Sequence, residues 1–161
     1  MSFNAETLRR TMRPWATGVT IVTARADDQR HGMTVSSFTS ISLEPPLVLV
    51  SLANNARTAD LIRRARFFGV TILAEGQQET SNTFAGRVPD SEDRFAGIET
   101  EVLQSGAPFI KGGLAYLDCR LVAEYATGTS NLFIGEVIDA QADEGPKPLL
   151  YFNRDYKDLC P

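Results

Sequence analysis

The chain has 161 residues, one histidine, and 16 Lys plus Arg against 20 Asp plus Glu, a formal net charge of −4. With 43% hydrophobic and 22% charged residues, it has the composition of one globular domain, expected to span 1–161 and able to bury a core without metals or disulfides. A mildly acidic chain with no basic block is poorly suited to nucleic acid or an anionic membrane, and no apolar run approaches the ~18 residues of a membrane span.

The chain opens with MSFNAETLRR, which lacks the apolar core of a signal peptide. Residues 4–13 follow as a helix, with Asn4 as cap and Ala5, Leu8, Met12 and Trp15 at helical spacing until Pro14 stops it. The β-branched run 17–24 predicts a strand. A polar turn, ADDQRHG, leads to a second strand at 31–38, hairpinned to the first. Pro45-Pro46 breaks the chain before a buried strand, 47–53. Residues 55–66 return to helical periodicity through Thr58, Leu61, Ile62 and Ala65, with Asn55 as the expected cap. A strand at 67–73, a short helix at 76–86 closed by Gly86, and a loop-rich stretch 87–112 come next. Three strands close the chain, at 113–125, 131–140 and 148–152. The expectation is six or seven strands and two or three short helices. Hairpin-like spacing disfavours a doubly wound parallel sheet, so the predicted fold is mainly β: a barrel with peripheral helices.

The scarce residues narrow the chemistry. Cys119 and Cys160 form no Cys-x-x-Cys pair, so no metal site within one chain is expected. A reduced, cytoplasmic protein fits this cysteine usage. A Ser-His-Asp triad would have to use His31, and no Gly-x-Ser-x-Gly elbow supplies its serine. Gly-x-Gly-x-x-Gly and Gly-x-x-x-x-Gly-Lys phosphate loops are also missing. A phosphate-bearing ligand would therefore rest on hydroxyls, turn amides and a cation.

Three stretches have that character. In His31–Ser40, five of ten residues carry a hydroxyl; they suit the polar edge of a heterocycle or a phosphate, although Thr and Ser are also ordinary strand residues. Ser51–Thr58 joins a strand to a helix start, where free amides and Arg57 could meet an anion, as could any capped helix with a solvated arginine. Tyr151–Tyr156 sets aromatic faces beside Arg154, which suits a base or simply a terminal strand. Cys119 reads as packing, and Asp118 as a buried carboxylate whose partner the sequence does not place.

Together these stretches resemble the short-chain flavin reductase family. The matching segments are MRPWATGVTIVTA (12–24), HGMTVSSFTSISLEPPLVLVSL (31–52), FGVTILAEGQQETSNTFAG (68–86), LDCRLV (117–122), LFIGEV (132–137) and PLLYFNRDY (148–156). The resemblance implies an FMN-binding split β-barrel, working as a homodimer. The implied activity is hydride transfer from NADH or NADPH to FAD or FMN, with the reduced flavin supplied to a partner monooxygenase. By the resemblance, Met33, Thr34, Val35, Ser36 and Ser37 would line the isoalloxazine and ribityl chain. Ser51 and Leu52 would hold the next part of the cofactor, and Asn55 and Arg57 would face phosphate. Gln77, Ser81 and Phe84 would close the pocket, while His31, Tyr151 and Arg154 would approach the nicotinamide donor. Hydride transfer needs orientation rather than an acid, base or nucleophile, so no catalytic side chain is named. Where the family usually carries Gly-Asp-His before LFIGEV, this chain has Gly128-Thr129-Ser130. The family's histidine there lies close to the nicotinamide, so by the resemblance Ser130 would stand at the donor, where it can hydrogen-bond but cannot stack or carry charge. That departure leaves a second reading: a split-barrel flavin carrier or accessory protein without efficient nicotinamide oxidation.

Overall fold

The structure is a computed structural model, described here for residues 3–87, 89 and 92–160. Its centre is one antiparallel sheet of seven strands: β2 (Thr20–Ala26), β3 (Gln29–Val35), β4 (Phe38–Leu43), β5 (Pro46–Ala53), β6 (Phe67–Ile72), β9 (Ala115–Ala126) and β10 (Ser130–Ala142). They lie in the order β3-β2-β6-β9-β10-β5-β4. The two edge strands, β3 and β4, are consecutive in the chain, separated only by Ser36 and Ser37. A link that short forces the sheet to curl until its edges meet. The seam between them is crossed by the chain rather than by a full ladder, which is the split barrel expected from the sequence.

Two register shifts in the β10–β9 ladder, with Val122 extra on β9 between Ile134 and Gly135 and Ile138 extra on β10 between Val137 and Asp139, bend the paired strands where the sheet must turn. Gly135 lies under Phe68: a Cβ there would stand 2.5 Å from the ring, so only glycine lets the strand cross at that height. Phe68 and Phe133 are fully buried in one core with Val22, Val50 and Leu52, and Phe109 is fully buried as well.

The helices match their predicted places. In α1 (Ala5–Met12) the Asn4 side chain accepts the Thr7 N–H at 2.9 Å, with Glu6 in the first turn and Arg9 and Arg10 in the last. No residue of α1 is buried. The helix α2 (Arg57–Ala65) buries Thr58, Leu61 and Ile62 against β2 and β3. Its N-cap is Ala56, without a side-chain cap; the expected cap, Asn55, is exposed. The short helix α3 (Gln78–Asn82) runs into a π-turn at Thr83–Arg87, where Gly86 takes φ +89.

The strand count departs from expectation. Among the described residues there are twelve strand segments, several of only two or three residues. The second predicted strand ends at Val35 instead of running to 38, and Phe38 begins β4, most of which falls where the sequence predicts no element. The loop-rich stretch holds the hairpin β7 (Thr100–Val102) and β8 (Pro108–Ile110). A separate small sheet joins β1 (Thr17–Gly18), β11 (Leu150–Phe152) and β12 (Asp155–Lys157). Among the described residues no helix is long and apolar enough to cross a membrane.

Candidate functional site

The seam of the barrel opens as a groove. Thr34 at the end of β3 and Ser36 beyond it form one wall of a cavity of about 320 Å³. Ser81, Asn82 and Arg87 form another wall, and the β11–β12 hairpin supplies Tyr151, Arg154 and Tyr156. The lining is cross-braced. Thr34 donates to the Ser81 carbonyl at 2.6 Å. The Tyr156 hydroxyl lies 2.8 Å from Ser81 Oγ and 3.0 Å from Asn82 Oδ1, and the Tyr156 ring meets Tyr151 edge-on at 5.5 Å. These bonds join β3, α3 and β12, elements far apart in the chain, and so fix the groove's width.

Past Arg154 the groove widens into a second cavity of about 510 Å³ that shares Ser36, Tyr151 and Arg154 with the first. Here the walls are Trp15, Arg9 and Arg13 from α1 and the segment after it, with Ser37 at the base. Arg13 Nε is buried and finds no hydrogen-bond acceptor among the described residues. The hairpin turn between β11 and β12 places Asn153 at φ +51 and Arg154 at φ +67. A two-residue turn of this kind favours Asn-Gly, and an arginine there costs about 1–3 kcal/mol in backbone strain.

The remaining predicted residues fall elsewhere or turn inward. His31, expected beside Tyr151 and Arg154, is only 7% exposed. Its Nδ1 hydrogen-bonds Thr58 Oγ1 at 2.8 Å, and it lines a different cavity, of about 310 Å³, with Arg30, Arg57, Asp93 and Arg94. The physical reason is cover: α2 and the 92–95 turn pack over that end of β3. The backbone N–H of Phe95, then Arg30, hold the Asp93 carboxyl below its ordinary range. Val35, Leu52 and Phe84 have their side chains in the core, and Met33 packs against it. Each can offer a ligand backbone only, or in the case of Met33 a partial side-chain face.

Gln77 braces a turn, accepting from Ala74 N at 2.9 Å and donating to the Lys111 carbonyl at 3.2 Å. Ser51 stands next to the seam, where Ser37 Oγ donates to its carbonyl at 2.8 Å. Ser130 lies opposite Ala53 across the β10–β5 ladder. Asn54 ties that loop down, donating from Nδ2 to the Gly128 carbonyl at 2.6 Å and from its backbone to Thr129.

Thus Thr34, Ser36, Ser81, Tyr151 and Arg154 share one cavity, with Ser37 and Ser51 adjoining. His31 and Arg57 share another, and Asn55 and Ser130 line none of these cavities. Sequence reasoning gave no role to Asn82, Arg87, Arg9, Arg13 or Trp15, and read Tyr156 only as one aromatic face of the Tyr151–Tyr156 stretch. Tyr156 and the Arg13–Trp15 stretch also stood within recognised motifs. Two structural readings hold: Cys119 is buried beside Asp118, and burial first, then that carboxylate, pushes its thiol up to about 12. Asp118 finds its partner in the Ser105 backbone N–H, at 2.7 Å.

Comparison with known proteins places this arrangement. The model of the flavin reductase like domain matches residues 12–159, and the chain belongs to that family. It is 38% identical over 154 residues to the reductase component of 4-hydroxyphenylacetate 3-monooxygenase from Thermus thermophilus, covering 96% of each chain. It is 37% identical to an NADH-dependent flavin reductase from Rhodococcus, covering 94% of this chain and 85% of that protein. The solved NADH:FAD oxidoreductase of Streptomyces globisporus superposes with a TM-score of 0.93 at 33% identity, covering 100% of this chain and 96% of that one.

Proposed function

We propose that the seam groove is where the flavin is held for reduction, with Thr34, Ser36, Ser37 and Ser51 on the flavin's side and Tyr151 and Arg154 toward the nicotinamide donor. The chain is an NAD(P)H-dependent flavin reductase that supplies reduced flavin to a partner monooxygenase, as its relatives named NADH-dependent flavin reductase and monooxygenase reductase component indicate. FAD and NADH are its flavin and donor, consistent with the relative named NADH-dependent FAD reductase.

The observation that carries the assignment of the site is the groove itself. It combines hydroxyls at the seam, exposed aromatic faces at Trp15 and Tyr151, and the buried Arg13 Nε without an acceptor. That donor set fits a planar heterocycle with a phosphate tail. Bound flavin supplies the hydride acceptor and the reduced nicotinamide the hydride. The protein's part is orientation: Thr34, Ser81 and Tyr156 hold the groove walls at fixed separation, and the seam hydroxyls present donors at its base. The test is oxidation of NADH or NADPH by the purified protein with and without added FAD or FMN. Turnover that depends on flavin is expected; protein that binds flavin yet oxidises neither donor would leave only a carrier role.

A homodimer belongs to the same proposal. Cross-strand partners share a face, and the rows Ser51–Leu132–Tyr125 and Leu49–Ile134–Ala123 set half-buried or exposed apolar side chains on the outer face of β5, β10 and β9. Ile41 and Leu43 on edge strand β4 are also exposed, at 45% and 84%. A second copy related by a two-fold axis would cover that outer face. Light scattering should give twice the chain mass of 17.7 kDa. We place the whole chain, 1–161, as one domain, because a single seven-stranded sheet draws its strands from Thr20 to Ala142. Its reduced cysteines and nicotinamide donor suit the cytoplasm.

A further inference from the structure

The walls of the seam groove come from distant parts of the chain, and one side chain joins them. Strand β12 is the outer strand of the small sheet and pairs only with β11. The inner strand, β11, is tied to the body through two residues of β1. The turn is tied through the Asn153 N–H, which donates to the Arg13 carbonyl at 3.1 Å. On the β12 side, Asp155 and Lys157 are exposed and pair with each other at 2.7 Å. Among the described residues, Tyr156 alone carries a side-chain hydrogen bond from β12 to the rest of the protein. Its hydroxyl sits between Ser81 Oγ, at 2.8 Å, and Asn82 Oδ1, at 3.0 Å. Its ring packs on the core that includes Leu73, Phe84 and Leu149. Ser81 is fully buried, and its carbonyl accepts from the Thr34 hydroxyl at 2.6 Å. Contacts therefore run without a break from Thr34 through Ser81 and Tyr156 to the Tyr151 ring, from one wall to the other.

We infer that Tyr156 is a positioning residue for hydride transfer. Through Ser81 and Asn82 it fixes how far the hairpin's Tyr151 and Arg154 stand from Thr34, and with that the separation of donor and flavin. The inference rests on the reductase reading and on its placing of both ligands in this groove. The transfer moves a hydride from the reduced nicotinamide to the flavin, a proton follows from water, and Tyr156 forms and breaks no covalent bond. Its single proton is committed between Ser81 and Asn82, so it acts through these neighbours rather than on the ligands. A residue of this kind changes rate more than affinity. Hydride transfer needs near-contact geometry, and a misplacement of about 1 Å can cost on the order of a hundredfold. Apolar burial, which is non-directional, falls much less over the same shift.

The test compares the wild type with Tyr156→Phe, Ser81→Ala, the double variant and Tyr151→Ala. Tyr156→Phe keeps the ring on its core contacts, and Ser81→Ala keeps the carbonyl that Thr34 uses. Both are expected to fold, with thermal denaturation as the check. Protein loaded with FAD is mixed with NADH in the absence of oxygen, and the loss of oxidised-flavin absorbance gives the rate constant of flavin reduction. Its dependence on NADH concentration gives the donor's dissociation constant, and a fluorescence titration gives that of FAD. Hydrogen exchange of the ligand-free proteins follows the amides of 150–157. The expected result is that Tyr156→Phe reduces flavin about tenfold more slowly at saturating NADH, with both dissociation constants within about twofold of the wild type. Its hairpin amides exchange faster, while those of the seven-stranded sheet keep their rates. The double variant is no slower than Tyr156→Phe, because Ser81 Oγ acts only through the tyrosine. An unchanged reduction rate in Tyr156→Phe would overturn the inference, whatever the hairpin's exchange. So would a slower rate with unchanged hairpin exchange, losses that multiply in the double variant, or lost affinity in place of lost rate. Tyr151→Ala, which removes a ring lining both halves of the groove, separates that failure from failure of the groove reading. If it alters the rate or either dissociation constant while Tyr156→Phe behaves as the wild type, the inference alone falls. If both variants behave as the wild type, the ligands lie outside the groove and both fall.

Discussion

The two ends of β3 differ more than their residues suggest. Both carry polar side chains within one seven-residue strand. At the Arg30–Gly32 end, each is taken up by the protein: His31 by Thr58, Arg30 by Asp93 at 2.9 Å and by the Phe95 ring at 4.6 Å, and the Gly32 carbonyl by Arg94 at 3.1 Å. At the Thr34–Ser37 end the strand leaves the ladder, and Ser36 and Ser37 stay exposed in a groove. The difference lies in what later parts of the chain bring to each end. Helix α2 and the 92–95 turn seal one; at the other, the sheet's own edges part. A polar strand residue becomes available to a ligand only where nothing of that kind covers it.

The hardest test of the contrast is Phe84, which the resemblance placed in the pocket wall and the structure places in the core. It is fully buried, edge-on to Phe95 at 5.0 Å, and its ring fills the space in front of Gly32. Phe84→Ala should cost about 3–5 kcal/mol of stability, the range for emptying a buried aromatic site, measured as a shift in urea midpoint. The FMN dissociation constant of the protein that remains folded should change little. A variant with wild-type stability and lost flavin affinity would show that the ring faces the ligand, and the division between closed and open ends would fail.

His31 supplies the next test. Truncation to alanine strands the buried Thr58 hydroxyl and opens a gap under α2, so His31→Ala should lose about 1–3 kcal/mol. Its donor KM should match the wild type, because His31 lines a different cavity from Tyr151 and Arg154. Urea denaturation and an NADH titration decide it. A raised KM at unchanged stability would return His31 to the donor site.

What the sequence made legible follows the same line. The runs at 17–24, 47–53 and 67–73 and the stripe Thr58, Leu61, Ile62, Ala65 announced their elements because each buries one apolar face, and periodicity reports burial directly. The strand β4 was illegible because it is an edge: Thr39, Ser40 and Leu43 are exposed, Ser42 is half-buried, and nothing alternates strongly. The β11–β12 hairpin was hidden by Asn153-Arg154 in place of the Asn-Gly that marks such turns. At the site, the hydroxyl-rich seam and the Tyr151–Arg154 pair were readable as chemistry. The split between His31 and Thr34 was not, because cover by α2 depends on tertiary packing. Nor was the Tyr156 bond to Ser81 and Asn82, which joins residues 75 and 74 apart.

The smallest expected effect sharpens the contrast at a third place, the loop that ends in Ser130. Glu124 accepts from Arg63 Nε and Nη2, at 3.0 and 2.8 Å, and also from Asn131 Nδ2. Through Asn131 this ion pair holds the first residues of β10. The hydrogen bond from Arg63 is the main cause that keeps the Glu124 carboxyl below its ordinary range, and the Asn131 bond adds to it against the cost of partial burial. A carboxyl lowered on folding contributes stability that is complete above its unfolded pKa, roughly 4.3, and that disappears as pH falls through the folded value. Glu124→Gln should therefore be less stable than the wild type at pH 7, by about 1 kcal/mol or less because Arg63 is one-third exposed. The gap should close in acid. Urea denaturation of both proteins at neutral pH and at successively lower pH measures it. A gap that stayed constant into acid would mean that Glu124 acts by shape rather than charge.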